Sequence, residues 1–220
     1  MDSFSKENPA TAHRTRFITA ASLFDGHDAA INIMRRILQS TGAEVIHLGH
    51  NRSANTILKA ALEEDAQAIA ISSYQGGHVE FFKYIVDLLK KRNLSHIRVF
   101  GGGGGTITPD EITDLEKYGV KKIYSPEDGR KLGLQGIIDH MMENAALHPF
   151  QTIDWEHLKD FSKSTKALAQ ALTCIELGEE GFDDPHFASK KTFFESLKQQ
   201  VSSTPSKSTV IGLTGPGGAG

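Results

Sequence analysis

One cysteine, Cys174, stands among 220 residues. A lone thiol excludes an intramolecular disulfide and a cysteine-cluster zinc site, and it fits a reducing compartment. No run of about 18 apolar residues occurs, so a membrane span is not expected. Met1 to Arg16 is polar and lacks the apolar core of a signal peptide. A cytoplasmic protein without membrane contact is the expectation. A basic stripe is missing too, because 24 Lys and Arg are scattered among 27 Asp and Glu for a net charge of -3. That balance argues against nucleic acid as a partner. What is present is an apolar fraction of 39%, enough for one well-packed domain and an accessory piece.

Behind a polar leader (residues 1–13), expected to be disordered, short apolar runs alternate with helical patterns. Phe17 to Leu23 reads as a first strand. Ala29 to Ser40 places Ile31, Met34 and Leu38 on one helical face, and Gly42 suits the end of that helix. Glu44 to Leu48 is a second strand. Ser53 caps a helix running to about Glu64, and Ala68 to Ser72 is a continuous apolar third strand. Phe82, Ile85, Val86 and Leu89 stripe a third helix, and Ile97 to Phe100 makes a fourth strand that runs into five glycines. Pro109 opens a fourth helix. Lys122 to Tyr124 is a short fifth strand, followed by a helix striped by Leu134, Ile137, Ile138 and Met141.

Five strand–helix units with short connections predict an α/β fold, a doubly wound parallel five-stranded sheet of flavodoxin-like order 2-1-3-4-5. In such a sheet the ligand crevice lies beyond the carboxyl ends of the strands, where the order reverses between the first strand and the third. The loops at that edge carry Asp25 and His27, then Ser72 to His78, then Gly101 to Gly105, then Ser125-Pro126. A histidine two residues after an aspartate can turn one ring nitrogen toward a metal while the other donates to the carboxylate, which fixes the tautomer. The alternative is a turn with Asp28 capping the following helix. Five consecutive glycines between two elements that must dock imply that backbone approaches something closely there. They follow the fourth strand and not the first, which disfavours a dinucleotide fingerprint. A receiver domain, which shares this strand order, would want an acidic residue ending the third strand, and Ser72 and Ser73 stand there instead.

Together, Asp25-Gly26-His27, Ser72-Ser73-Tyr74-Gln75-Gly76-Gly77-His78 and the glycine run resemble the cobalamin-binding domain of acyl-CoA mutases, over about residues 14–146. The resemblance implies a cofactor, adenosylcobalamin, with His27 as the lower axial ligand of cobalt. The cofactor's own dimethylbenzimidazole is then displaced, and its nucleotide tail threads between sheet and helix. Asp25 would hold His27, Ser72 would hydrogen-bond the displaced base, Gly102 and Gly103 would line the tail pocket, and Ser125 and Pro126 would close its far side. Gly26, Asp28, Ala30, Met34, Tyr74 and Gly76 complete the implied cofactor contacts. Two positions depart from the family pattern: Ala30 stands where glycine is usual, and Tyr74 where leucine is usual. The spelling around Tyr74 resembles the fused isobutyryl-CoA mutases more than the methylmalonyl-CoA enzymes. His78 is open to two readings, contact with the corrin rim or a helix cap. His47 and His50, three apart and away from the switch point, suit a solvated loop better than a zinc site, and Cys174 suits packing better than reactivity.

Residues 147–208 read as a helical linker opening a G-protein chaperone domain, with helical patterns ending at Lys166 to Glu176 and again over Lys191 to Val201. Residues 209–220 read as a strand entering a phosphate loop, with Gly215, Gly217, Gly218, Ala219 and Gly220 at the spacing that cradles phosphates. Its Lys and Ser/Thr would come later, so GTP and Mg are expected of a full-length fusion only. The same resemblance implies an acyl-CoA substrate bound by a barrel outside this chain, and a homodimer as the full-length protein. Three functions stay open: part of a mutase interconverting isobutyryl-CoA and n-butyryl-CoA (or a methylmalonyl-CoA mutase-type subunit), a non-catalytic cobalamin carrier or regulator, and a GTP-dependent metallochaperone.

Overall fold

Short strands, the central ones buried on both faces, alternate with helices in the order that the apolar runs predict. The computed structural model describes residues 14–145, 152–153, 155–178 and 188–203. The leader and the phosphate-loop segment, including Gly215, Gly217, Gly218, Ala219 and Gly220, lie outside the described residues. The elements are β1 (Arg16–Ala21), α1 (Ala29–Ser40), β2 (Glu44–His47), α2 (Ala54–Glu63), β3 (Ala68–Ser72), α3 (His78–Lys91), β4 (Arg98–Gly102), α4 (Pro109–Tyr118), β5 (Lys122–Tyr124) and α5 (Pro126–Ala145). Beyond them come α6 (Thr165–Glu176) and α7 (Ala188–Ser203). One compact unit runs to Glu180 and a second begins at Gly181. No helix among the described residues is long and apolar enough to cross a membrane.

The strands form one parallel sheet in the order β2-β1-β3-β4-β5. Its registers include Ala21 beside Ser72 and Ser72 beside Gly102, so the ends of β1, β3 and β4 lie level. Side chains alternate across the sheet. On one face Ile69, Ile71 and Val99 join Ile57, Leu58, Phe82, Ile85 and Leu115 in the larger core, under α2, α3 and α4. On the other, Ala68, Ala70 and Phe100 meet Leu38, Ile138 and Met141 of α1 and α5. On that second face Ala70 and Phe100 of the sheet and Met34, Leu38, Ile137 and Met141 of α1 and α5 also border a cavity.

Local signals act where expected. Ser53 Oγ accepts from Thr56 N–H, Thr108 and Glu111 form a reciprocal capping box with Pro109 behind it, and Gly42 leaves α1 at φ +105°. Several boundaries differ from the sequence reading. β1 stops at Ala21, because Ser22 turns to bridge Arg52 and Phe24 takes a left-handed φ of +64°. β4 continues through Gly101 and Gly102, so the first two glycines are strand and not loop. α5 breaks at Gly133 (φ +68°), and Leu134 is half exposed instead of joining the core stripe. At the opposite edge of the sheet, Arg16 bonds Glu44 Oε2 at 2.7 Å and Thr173 Oγ1 at 2.9 Å and pairs with Glu176, tying α6 down.

Candidate functional site

Asp25 is the hub of the switch-point edge. Its side chain is fully buried, yet it accepts the His27 N–H (2.8 Å) and the His27 Nδ1 proton (2.9 Å) on Oδ1 and the Tyr74 N–H (2.5 Å) on Oδ2. Burial alone would push this carboxyl up. The Tyr74 N–H, the His27 N–H and the His27 ring outweigh that and hold its pKa below the ordinary value, so it stays ionised. His27 itself is 76% exposed. With Nδ1 engaged as donor, the tautomer leaves a lone pair on Nε2, which makes no hydrogen bond among the described residues. Asp28 occupies the N-cap position of α1 but gives no side-chain cap bond, so the plain helix-cap reading of this loop fails.

The loops are stapled to one another. Ser22 Oγ donates to Ser73 Oγ at 2.8 Å, Ser22 N–H donates to the Ser72 carbonyl, and Ser73 N–H donates to the Gly102 carbonyl. Asn51, itself left-handed, accepts the Phe24 N–H on Oδ1 and donates its own N–H to the Asp25 carbonyl. Ser72 is buried at 6% exposure, and its Oγ has no hydrogen-bond partner within the structure. An unsatisfied buried hydroxyl is costly, about 1–3 kcal/mol, and asks for an explanation.

The glycine run has three different reasons along its length. A Cβ on Gly101 would lie 2.4 Å from Phe82 Cζ, so that glycine serves the packing of α3 on the sheet. On Gly103 a Cβ would fall 1.8 Å from the Ser73 carbonyl oxygen, so that glycine lets two loops pass. A Cβ on Gly102 would meet only Tyr124, its carbonyl oxygen at 3.3 Å. Gly26 and Gly76 are exposed with nothing near them, and Gly104 is left-handed against the Tyr74 ring.

Between the sheet, α1 and α5 runs a cavity of about 330 Å³. Ala30, Met34, Ser72, Tyr74, Gly102, Gly103, Ser125 and Pro126 line it, all of them expected site residues. Asp25, Gly26, His27, Asp28 and Gly76 are not in its wall. The apolar lining from Ile31, Phe100, Tyr124, Ile137 and Met141 was missed, since in sequence those positions read as ordinary core. One signal could have found the cavity: at period two, β3 and β4 put Ala70, Ser72 and Gly102 on one face, all of them small. Ser125 also spends its hydroxyl internally, donating to Asp128 Oδ2 at 2.9 Å and accepting the Asp128 N–H at the start of α5.

His78 and His47 are held by neighbouring groups of the fold. His78 is buried at 4% exposure, with Nδ1 2.9 Å from the Gln75 carbonyl and Nε2 3.2 Å from Glu111 Oε2. It neither reaches the cavity wall nor caps α3, whose N-cap residue is Gly77. His47 Nδ1 meets Thr19 Oγ1 at 2.9 Å, and burial and nearby Arg35 lower its pKa. Cys174 is buried. Among the described residues no three His, Cys, Asp or Glu side chains gather to hold a bare ion. The geometry offers an exposed imidazole nitrogen near an apolar slot with a buried, unpartnered hydroxyl, that of Ser72, in its wall.

The family model of the B12 binding domain matches residues 15–127. Fused isobutyryl-CoA mutase of Geobacillus kaustophilus is 53% identical over 209 residues, covering 94% of this chain and 19% of that protein. The fused isobutyryl-CoA mutase of Cupriavidus metallidurans is 53% identical over 213 residues, 95% of this chain and 18% of that protein. The chain therefore spans about a fifth of the length of these relatives. Among solved structures, a cobalamin-binding protein from Desulfitobacterium hafniense shares the fold, with a TM-score of 0.51 and 19% identity over 60% of this chain and 59% of that one. With more than half of its length matched by the family model, the chain belongs to the B12-binding domain family.

Proposed function

We propose that this chain is the cofactor-binding part of an adenosylcobalamin-dependent mutase that interconverts isobutyryl-CoA and n-butyryl-CoA. The observation that carries the reading is the pairing of an exposed imidazole, oriented by a buried carboxylate, with an apolar slot holding an unpartnered buried hydroxyl. His27 Nε2 is the atom offered to cobalt. Asp25 fixes the tautomer and strengthens the ligand. Ser72 Oγ gives the displaced benzimidazole a hydrogen-bond partner, and Gly102, Met34, Tyr124 and Pro126 enclose the tail. When bound, the cofactor supplies a carbon radical by homolysis of its Co–C bond, and this chain contributes ligation, orientation and exclusion of water. The names of the relatives support the choice of acyl-CoA, which a barrel outside this chain would bind. A fused G-protein domain using GTP and Mg is consistent with the spacing of Gly215 to Gly220, and a homodimer is the assembly proposed for the complete protein.

EPR of the cob(II)alamin state with nitrogen-labelled protein tests the ligand. Coupling to a protein nitrogen is expected, and it should vanish in His27→Ala. Retention of that coupling in His27→Ala would sink the assignment.

A further inference from the structure

We infer that Tyr74 is a positioning residue for the His27 imidazole, acting through its main chain and its ring at once. The inference rests on the reading of His27 as the cobalt ligand. His27 is 76% exposed and precedes the first turn of α1. Its imidazole is tethered by the single ring contact of Nδ1 to Asp25, and a ring held by one hydrogen bond retains freedom to swing about that bond. Tyr74 removes the freedom from two directions. Its N–H fixes Asp25 Oδ2, which leaves Oδ1 to aim at His27. Its ring lies 5.8 Å from the His27 ring, centroid to centroid, tilted by 46°. That is within the range of a productive aromatic contact.

The Tyr74 ring is backed in turn. A Cβ on Gly104 would lie 2.9 Å from Tyr74 Cε1, and Gly104 holds φ +58°. Gly104 therefore leaves the Tyr74 ring room that a side chain there would take, beside the tilted contact the ring makes with His27. Leucine at position 74 would keep the N–H and lose the ring plane. The tyrosine hydroxyl makes no hydrogen bond among the described residues, so the ring itself carries the effect and Phe should replace Tyr.

The test uses cobinamide, a corrinoid without the nucleotide tail, alongside cobalamin. Loss of the aromatic pair is expected to weaken cobinamide binding about threefold to tenfold in Tyr74→Leu. The protein-nitrogen coupling in the cob(II) EPR spectrum should shrink or broaden, while Tyr74→Phe should match the unaltered protein. Circular dichroism checks that each variant folds. If Tyr74→Leu weakens cobalamin but leaves cobinamide untouched, the ring is a slot wall only and the inference is overturned. A loss in Tyr74→Phe equal to that in Tyr74→Leu overturns it as well, since the hydroxyl would then be the active part. His27→Ala separates the underlying reading, because coupling that survives there refutes the ligand assignment and not the ring contact alone.

Discussion

Asp25 accepts two hydrogen bonds from His27 on one carboxylate oxygen, from the main-chain N–H at 2.8 Å and from ring Nδ1 at 2.9 Å. The bite of a single residue on one oxygen sets both the loop conformation and the tautomer. Asp25→Asn keeps the shape and removes the charge, and its amide must turn a donor toward either Tyr74 N–H or His27. Cobinamide affinity is expected to fall about 10- to 100-fold, the usual loss when the partner of a metal-bound histidine is removed. Calorimetric titration measures it, and an unchanged affinity would show that His27 needs no orienting carboxylate.

The pH dependence of stability has a source away from the site. Burial, with Lys166 and Arg98 nearby, lowers the pKa of His96 from 6.5 to about 4. As pH falls through 6.5 the unfolded chain takes up a proton that the folded chain refuses until about 4. This contribution is thus complete above the upper value and drains away between the two. His96→Gln should reduce the difference in urea midpoint between neutral and mildly acidic buffer. Identical pH dependence in the variant and the unaltered protein would count against a half-buried His96 that stays neutral.

Ser72 carries a stability cost that a ligand would relieve. A buried hydroxyl with no partner is unfavourable by about 1–3 kcal/mol, so Ser72→Ala should raise the melting temperature of the ligand-free protein, equivalent to about 1 kcal/mol. The same change should weaken cobalamin and leave cobinamide binding nearly unaltered. A destabilised ligand-free variant would mean that Ser72 has a structural partner after all.

Much of the fold was legible in the residues. Continuous apolar runs marked the buried central strands, helical stripes such as Phe82, Ile85, Val86 and Leu89 marked their covers, and short connections set the parallel order. Asp25 and His27 were legible only as one of two readings of the Asp-Gly-His spacing, and the other two loops on the same sheet edge, with the resemblance they carry, favoured the paired reading over a helix-capping turn. Phe24 was not legible, since nothing in an aromatic residue announces a left-handed backbone. That conformation arises from a tertiary clamp by Asn51, 27 positions away. The break in α5 was hidden for a similar reason: Gly133 stands in an otherwise helical pattern, where a glycine is commonly tolerated. Consecutive glycines in the run look alike in sequence, and only the packing of Phe82, Ser73 and Tyr124 around them separates their roles.

That separation yields the sharpest test of the slot. Gly103→Ala places a methyl 1.8 Å from where the Ser73 carbonyl oxygen now lies. Ser73 cannot yield easily, since its N–H holds the Gly102 carbonyl and its hydroxyl holds Ser22. Overpacking of this kind costs about 1–3 kcal/mol, so Gly103→Ala should lower thermal stability before any ligand is added. Gly102→Val differs. Its Cβ would meet the Tyr124 carbonyl oxygen at 3.3 Å, a tight contact but far looser than that at Gly103, and Gly102 itself lines the slot. Stability should fall less than in Gly103→Ala, while cobalamin affinity should fall at least about tenfold because the tail no longer fits. Cobinamide, which has no tail, should bind Gly102→Val almost as well as it binds the unaltered protein. If Gly102→Val weakens cobinamide as much as cobalamin, with the fold intact by circular dichroism, the cavity between the sheet, α1 and α5 is not where the tail goes, even if His27 remains the cobalt ligand.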